Sequence, residues 1–129
     1  EYAHIYDIDD KAPQIDLAQN MALYRKLHQA LPLLSSAHDI SEGGLLTAVA
    51  ESMIGGGLGA RWYADLDSVA AFNEVPGRIV VSVAPAKKAA FEKIFNIAPA
   101  GEVTAERELS FGGTHIPLAG LAAAWQKGF

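Results

Sequence analysis

The sequence predicts an α+β domain, an α/β sandwich in which a mixed sheet is covered by helices. Three observations carry this reading. Apolar residues recur at helical spacing near both ends of the chain, a run of valines and isoleucines lies near residue 80, and short strand-like segments are grouped and punctuated by glycines. The element order reads roughly α, β, α, β, β, α, β, β, α. Strands paired between helices favour this class over a doubly wound parallel sheet, which needs strict βαβ alternation. The 129 residues make one domain, since domains commonly run to about 100–200 residues.

Residues 1–15 alternate only weakly, at Ile5 and Ile8, and contain Pro13; they read as an extended arm, either an edge strand or an interdomain linker. From Asp16 the period changes. Leu17, Met21, Tyr24, Leu27 or His28, and Leu31 follow one helical face, Asp16 is the natural N-cap with Gln19 three residues on, and Pro32 stops the helix. Residues 33–37 are a short apolar run read as a strand. It leads into His38-Asp39-Ile40-Ser41-Glu42-Gly43-Gly44, after which Leu45, Leu46, Val49 and Met53 resume helical spacing until Gly55, Gly56, Gly57 and Gly59 end the helix.

Residues 60–64 and 78–84 read as strands, the second buried on both faces through Ile79, Val80, Val81 and Val83, with one helical turn at 67–72 between them. Pro85 opens a helix with Phe91, Ile94 and Phe95 on its buried face, ending near Asn96. Residues 102–104 and 108–111 read as strands. Gly112-Gly113 is a hairpin signal before 114–116, and Leu118, Leu121, Ala122 and Trp125 form a closing amphipathic helix.

Composition narrows the function classes. Ten Lys and Arg against fifteen Asp and Glu leave a net charge of −5, so the basic footprint of a nucleic-acid binder or an anionic-membrane binder is missing. The absence of cysteine removes disulfide scaffolds, thiolate zinc sites and cysteine nucleophiles, and it is compatible with a cytoplasmic protein. No apolar run approaches the ~20 residues that cross a bilayer. Residues 1–10 hold four acids and no basic stretch, unlike a signal peptide. His4, His28 and His115 are scattered without ligand spacing.

The densest chemical constellation is His38 to Gly44: an imidazole, two carboxylates and a hydroxyl at a strand end, ahead of two glycines and a helix N-terminus. Unpaired N–H groups and the positive end of the helix dipole favour an anion there, and glycines let a phosphate approach the backbone. Asp39 can hold a Mg²⁺, which takes one or two protein carboxylates plus waters and phosphate oxygens, and Ser41 can donate to a phosphate. The plainer reading is an ordinary capped helix, with Ser41 as N-cap and Glu42 favourable to the dipole. The glycines at 55–59 lack a P-loop ending and close a helix instead of opening one. Glu74 to Arg78 reads as a turn into the apolar strand, with Glu74 and Arg78 placed for a domain contact.

The run Ala37-His38-Asp39-Ile40-Ser41-Glu42-Gly43-Gly44-Leu45-Leu46, followed by Ala48-Val49-Ala50-Glu51-Ser52-Met53 and a glycine cluster, resembles the A-H-D-x-S-[DE]-G-G-L signature of the C-terminal synthetase-type domain in phosphoribosylformylglycinamidine synthases. Further matches follow in order: 13–17 before the first helix, Phe72-Asn73-Glu74 with Gly77-Arg78 before the apolar strand, and the closing helix with Trp125. The run from His38 to Leu46 is the only highly specific part. Glu42 stands where Asp is more frequent in the family, and Ser52-Met53 where Glu-Met is usual.

The resemblance implies the following. The fold is that of the AIR synthetase C-terminal domain, partly ferredoxin-like. The parent enzyme converts formylglycinamide ribonucleotide to its amidine with ATP, Mg²⁺ and glutamine-derived ammonia, phosphorylating the amide oxygen so that ammonia displaces phosphate. Asp39 is a Mg²⁺ ligand and Ser41 contacts a bound ATP or ADP; His38, Gly43 and Gly44, which shape that loop, are expected to share in the nucleotide binding. No catalytic residue is expected in this segment, because the catalytic His belongs to a part of the synthetase domain outside it. The chain, opening on Glu1 instead of Met, reads as a fragment whose partners are the nucleotide-binding half, a first synthetase module and a glutaminase domain or subunit, and it is expected to be inactive alone. The competing expectation is a non-catalytic scaffold domain of the same superfamily that homodimerises through an apolar face.

Overall fold

The computed structural model describes residues 15–63 and 66–127; the arm expected over 1–15 therefore lies almost wholly outside the described residues. In chain order the elements are α1 (Leu17–Ala30), a 3-10 turn (Leu31–Leu33), β1 (Leu34–Asp39), α2 (Gly44–Gly56), β2 (Gly59–Trp62), the short α3 (Ser68–Phe72), β3 (Ile79–Val83), a second 3-10 turn (Pro85–Lys87), α4 (Lys88–Phe95), β4 (Gly101–Thr104), β5 (Glu108–Phe111), β6 (Thr114–Pro117) and α5 (Leu118–Lys127). The expected class is present, and the six strands fall at the six strand-like segments of the sequence, the hairpin after Phe111 included.

The strands form two sheets. β1 and β3 pair antiparallel as a two-stranded ribbon, and the other four run β4-β2-β5-β6. In this mixed sheet β2 is antiparallel to β4 and parallel to β5, and β5 is antiparallel to β6. Gly112 and Gly113 both adopt positive φ, +52° and +79°, the backbone of a type I′ turn that only glycine, Asn or Asp enters readily. Helix α2 touches β1, β2, β3, α3 and α5. Its Leu45, Leu46, Ala48, Val49 and Met53 form the core with Ile40, Ala71 and Leu109. Burying a Val, Leu or Met side chain contributes about 1.5–3 kcal/mol, so α2 is the element the fold is built around. It ends as expected, with the Gly57 N–H donating to the Met53 carbonyl at 2.8 Å.

The expected burial of residues 78–84 is corrected, and two apolar features turn out exposed. The stripe Leu17, Met21, Tyr24 and Leu31 lies on an exposed face of α1, Leu17 at 74 %. The side turned toward the fold carries Leu23 and Leu27, half-buried, and Ala30, buried. A helical period reports that a helix is amphipathic, not which neighbour covers it. Strand β3 is half-buried throughout, not buried on both faces, because its only sheet partner among the described residues is β1 and that ribbon leaves Ser35, Ser36 and Ala37 exposed. Trp125 is 61 % exposed on α5. The N-cap at Asp16 holds: its carboxylate accepts the Gln19 N–H at 3.0 Å.

Candidate functional site

Strand β1 delivers Asp39 opposite Ile79 of β3, and the next residue, Ile40, donates its N–H to the Arg78 carbonyl at 2.9 Å. Ile40 is buried in the core, so the strand end is fixed by an apolar anchor one residue past the carboxylate. Two successive glycines then enter the left-handed region, Gly43 at φ +79° and Gly44 at φ +74°. A Cβ on Gly44 would lie 2.5 Å from the Phe72 carbonyl carbon. The start of α2 thus lies flat against the end of α3.

Gly43, not Ser41, is the N-cap of α2. The Ser41 carbonyl takes the Gly44 N–H at 3.1 Å, the Thr47 hydroxyl donates to the Gly43 carbonyl at 2.8 Å, and the Gly43 N–H donates to Glu74 Oε1 at 2.8 Å. The capping carboxylate therefore comes from the loop ahead of β3, 31 residues along the chain. Nothing in the local spacing of Ser41 to Gly44 announces a partner at that distance. The positive end of the helix dipole already faces a carboxylate.

A cavity of about 400 Å³ opens beside this turn, lined by Tyr24, Asp39, Ser41, Glu42, Glu74 and Arg78 among others. The structure thus gathers Asp39 and Ser41 from one loop, Glu74 and Arg78 from another, and Tyr24 from α1. The Asp39 side chain is 79 % exposed, and His38 Nδ1 lies 3.7 Å from its carboxylate. Arg78 is committed to its own loop: its guanidinium donates to the Ala70 carbonyl at 3.2 Å and to the Asn73 carbonyl and side-chain oxygens. Three carboxylates against one occupied guanidinium give the cavity a negative field, which draws a cation in and admits an anion in company with one.

His38 stands apart from this group. Neighbouring strand residues point to opposite faces, and His38 turns toward α2, where its Nε2 lies 3.0 Å from Glu51 Oε2. With Glu51, Ile54, Gly55 and Trp125 it lines a second cavity of about 310 Å³. His115 pairs with Glu108 at 2.8 Å, and among the described residues no group of three or more His, Asp or Glu is placed to hold a metal by itself. The sequence pattern does not mark Tyr24 as a lining residue, since it sets it only on one face of a helix. The signal for Glu74 and Arg78 is present in Phe72-Asn73-Glu74 and Gly77-Arg78, yet by local chemistry alone it describes only a turn.

A buried helix launched from a His-Asp-x-Ser-x-Gly-Gly strand-end loop, carried between a two-stranded ribbon and a mixed sheet, defines the class of C-terminal domains found in AIR-synthase-like proteins. Residues 4–113 match the family described as AIR synthase related protein, C-terminal domain, and the chain belongs to that family. It is 39 % identical over 126 residues to the phosphoribosylformylglycinamidine synthase subunit PurL of Lactobacillus helveticus, covering 91 % of this chain and 17 % of the relative. It is 40 % identical over 97 residues to the same subunit of Lactobacillus acidophilus, covering 74 % of this chain and 13 % of that one. The chain therefore spans less than a fifth of the length of these relatives. Among solved structures, Thermotoga maritima PurL complexed with FGAR superposes with a TM-score of 0.70 at 21 % identity, over 88 % of this chain and 23 % of that one. The PurLQS structure from Thermotoga maritima gives 0.71 at 20 % identity, over 91 % and 23 %. These two likenesses establish the fold.

Proposed function

We propose that this chain is the C-terminal synthetase-type domain of a phosphoribosylformylglycinamidine synthase, and that it presents Asp39 and Ser41 to a Mg²⁺-bound nucleotide phosphate at a domain boundary. The parent reaction is the ATP-dependent amidation of formylglycinamide ribonucleotide with glutamine-derived ammonia. The observation that carries this reading is the 39 % identity over 126 residues to a PurL subunit, coupled with the meeting of Asp39, Ser41, Glu74 and Arg78 at one cavity.

The donor set fits the metal. Asp39 offers an exposed carboxylate and Ser41 a hydroxyl, both hard oxygens. Mg²⁺ takes one or two carboxylates and completes its shell with waters and phosphate oxygens, so the lack of a ready three-ligand cluster among the described residues suits a shared site. Mg²⁺ would supply charge neutralisation for phosphate inside an acidic cavity. The amides of Gly43 and Gly44 already have acceptors within the chain, so their part is to shape the turn, and any phosphate contact there requires Glu74 or Ser41 to give way. His38 acts on the loop from the opposite side of β1.

The exposed apolar face of α1 fits a contact with the remaining domains of the same enzyme, and a glutaminase domain or subunit completes the assembly. That same face supports the second reading, a scaffold domain that homodimerises; sedimentation of the isolated chain separates the two, monomer for the first and dimer for the second. No helix among the described residues is long and apolar enough to cross a membrane, and purine synthesis places the enzyme in the cytoplasm. The direct test is a graft. This chain replaces the matched segment of the Lactobacillus helveticus PurL subunit, and formylglycinamidine formation is assayed with its glutaminase partner. Retained activity supports the assignment, and loss of activity in a soluble, folded chimera refutes it. The chain alone is expected to form no product.

A further inference from the structure

Glu51, on the second turn of α2, lies opposite the strand that carries Asp39. Its Oε2 is 3.0 Å from His38 Nε2, and the two side chains are only 35 % and 30 % exposed. The other ring nitrogen, Nδ1, lies 2.8 Å from the Asp39 backbone carbonyl. A carboxylate and a carbonyl only accept. In its doubly protonated form the imidazole therefore bridges two acceptors, one on the most buried helix of the fold and one on the peptide that follows the Asp39 side chain. The Asp39 carboxylate is 79 % exposed and lies 3.7 Å from His38 Nδ1, and the loop beyond it turns at once toward two left-handed glycines.

From this geometry we infer that Glu51 is a positioning residue for Asp39, acting through His38. The inference rests on Asp39 being the cation-holding carboxylate of the proposed function. Glu51 fixes the ring, the ring fixes the Asp39 carbonyl, and the peptide plane so held sets where the carboxylate points at the mouth of the cavity. Partners one step removed from a metal ligand commonly change affinity by about 10–100-fold when lost. Glu51 does not line the Asp39 cavity, so its effect reaches the carboxylate only through the His38 ring, whose Nδ1 lies 3.7 Å from it.

The test measures Mn²⁺ binding in the presence of ADP to the full-length enzyme by water-proton relaxation, comparing wild type, Asp39→Asn, Glu51→Leu and Glu51→Gln, with the melting temperature of each recorded alongside. Gln keeps an acceptor for the imidazole but removes the charge, whereas Leu keeps the helix and removes both. The expected result is that Glu51→Leu binds about tenfold more weakly with a melting temperature close to wild type, and that Glu51→Gln restores most of the affinity. Wild-type affinity in Glu51→Leu overturns the inference. So does an equal loss in Glu51→Gln and Glu51→Leu, which assigns the effect to charge alone. Binding by wild type no better than by Asp39→Asn refutes the Asp39 reading beneath it, and that comparison involves no change at Glu51.

Discussion

The Glu74 carboxylate accepts the Gly43 amide at 2.8 Å, joining the loop ahead of β3 to the first turn of α2 across 31 residues. It serves as an N-cap side chain from a distance, meeting an otherwise unpaired donor and the positive end of the helix dipole together. The same loop is braced by Arg78, whose guanidinium holds Asn73 and Ala70. One wall of the Asp39 cavity is thereby tied to the other.

Glu74→Ala is expected to destabilise the fold by about 1 kcal/mol, the usual loss on removing a cap. Glu74→Gln, which keeps an acceptor oxygen, should lose about half of that through the dipole contribution alone. Urea unfolding of both variants checks this order, and a Glu74→Gln loss as large as that of Glu74→Ala would mean that charge, not the hydrogen bond, dominates.

Two glycines of the same helix should respond oppositely to alanine. Gly44 has φ +74°, and a Cβ there would meet the Phe72 backbone at 2.5 Å. Gly44→Ala is therefore expected to cost about 3 kcal/mol or more through strain and overlap. A Cβ on Gly56, at the end of α2, has nothing within 4 Å. Gly56→Ala should stabilise by about 0.4–1 kcal/mol by restricting the unfolded chain. Thermal melts of the pair give the comparison.

The Tyr63 phenol is held above its ordinary value of 10.0, first by its hydrogen bond with Glu102, then by desolvation and by the Glu102 charge, with Arg61 opposing. The folded state thus holds this proton more tightly than the unfolded chain. Its contribution is fully present below the ordinary tyrosine value and is lost as pH rises through the raised one. Carbon-13 NMR of the Tyr63 ring should show titration above free tyrosine, and Glu102→Gln should move it back down. An unchanged titration in Glu102→Gln would remove Glu102 as the cause.

Much of the architecture is readable from residue pattern because it is local. The Asp16 cap, the Gly112-Gly113 turn, the stop at Gly57 and the helical turn at 68–72 each follow from the chemistry of a few adjacent residues. What escapes the pattern depends on the partner. Tyr24 belongs to an apolar period that predicts a helix but not its exposed side, and Ser41 looks like a cap until Gly43 and Gly44 turn left-handed and shift the helix start. His38 and Asp39 are neighbours in sequence, yet strand alternation sends them to different cavities. The Asp39 side of the site is readable through the His-Asp-x-Ser run. Glu74 and Arg78 are marked in the sequence as a turn and a family match, but their place as a wall of this cavity is not, because the pairing of β1 with β3 brings them there.

The reading of this domain as a metal and nucleotide holder is tested most directly by calorimetric titration of Mg·ADP into the full-length enzyme, comparing the native protein with its Asp39→Asn variant. Interactions with a charged group contribute about 1.5–3 kcal/mol, so the predicted result is binding weaker by about tenfold or more with the fold intact. An unchanged Kd in Asp39→Asn would contradict it.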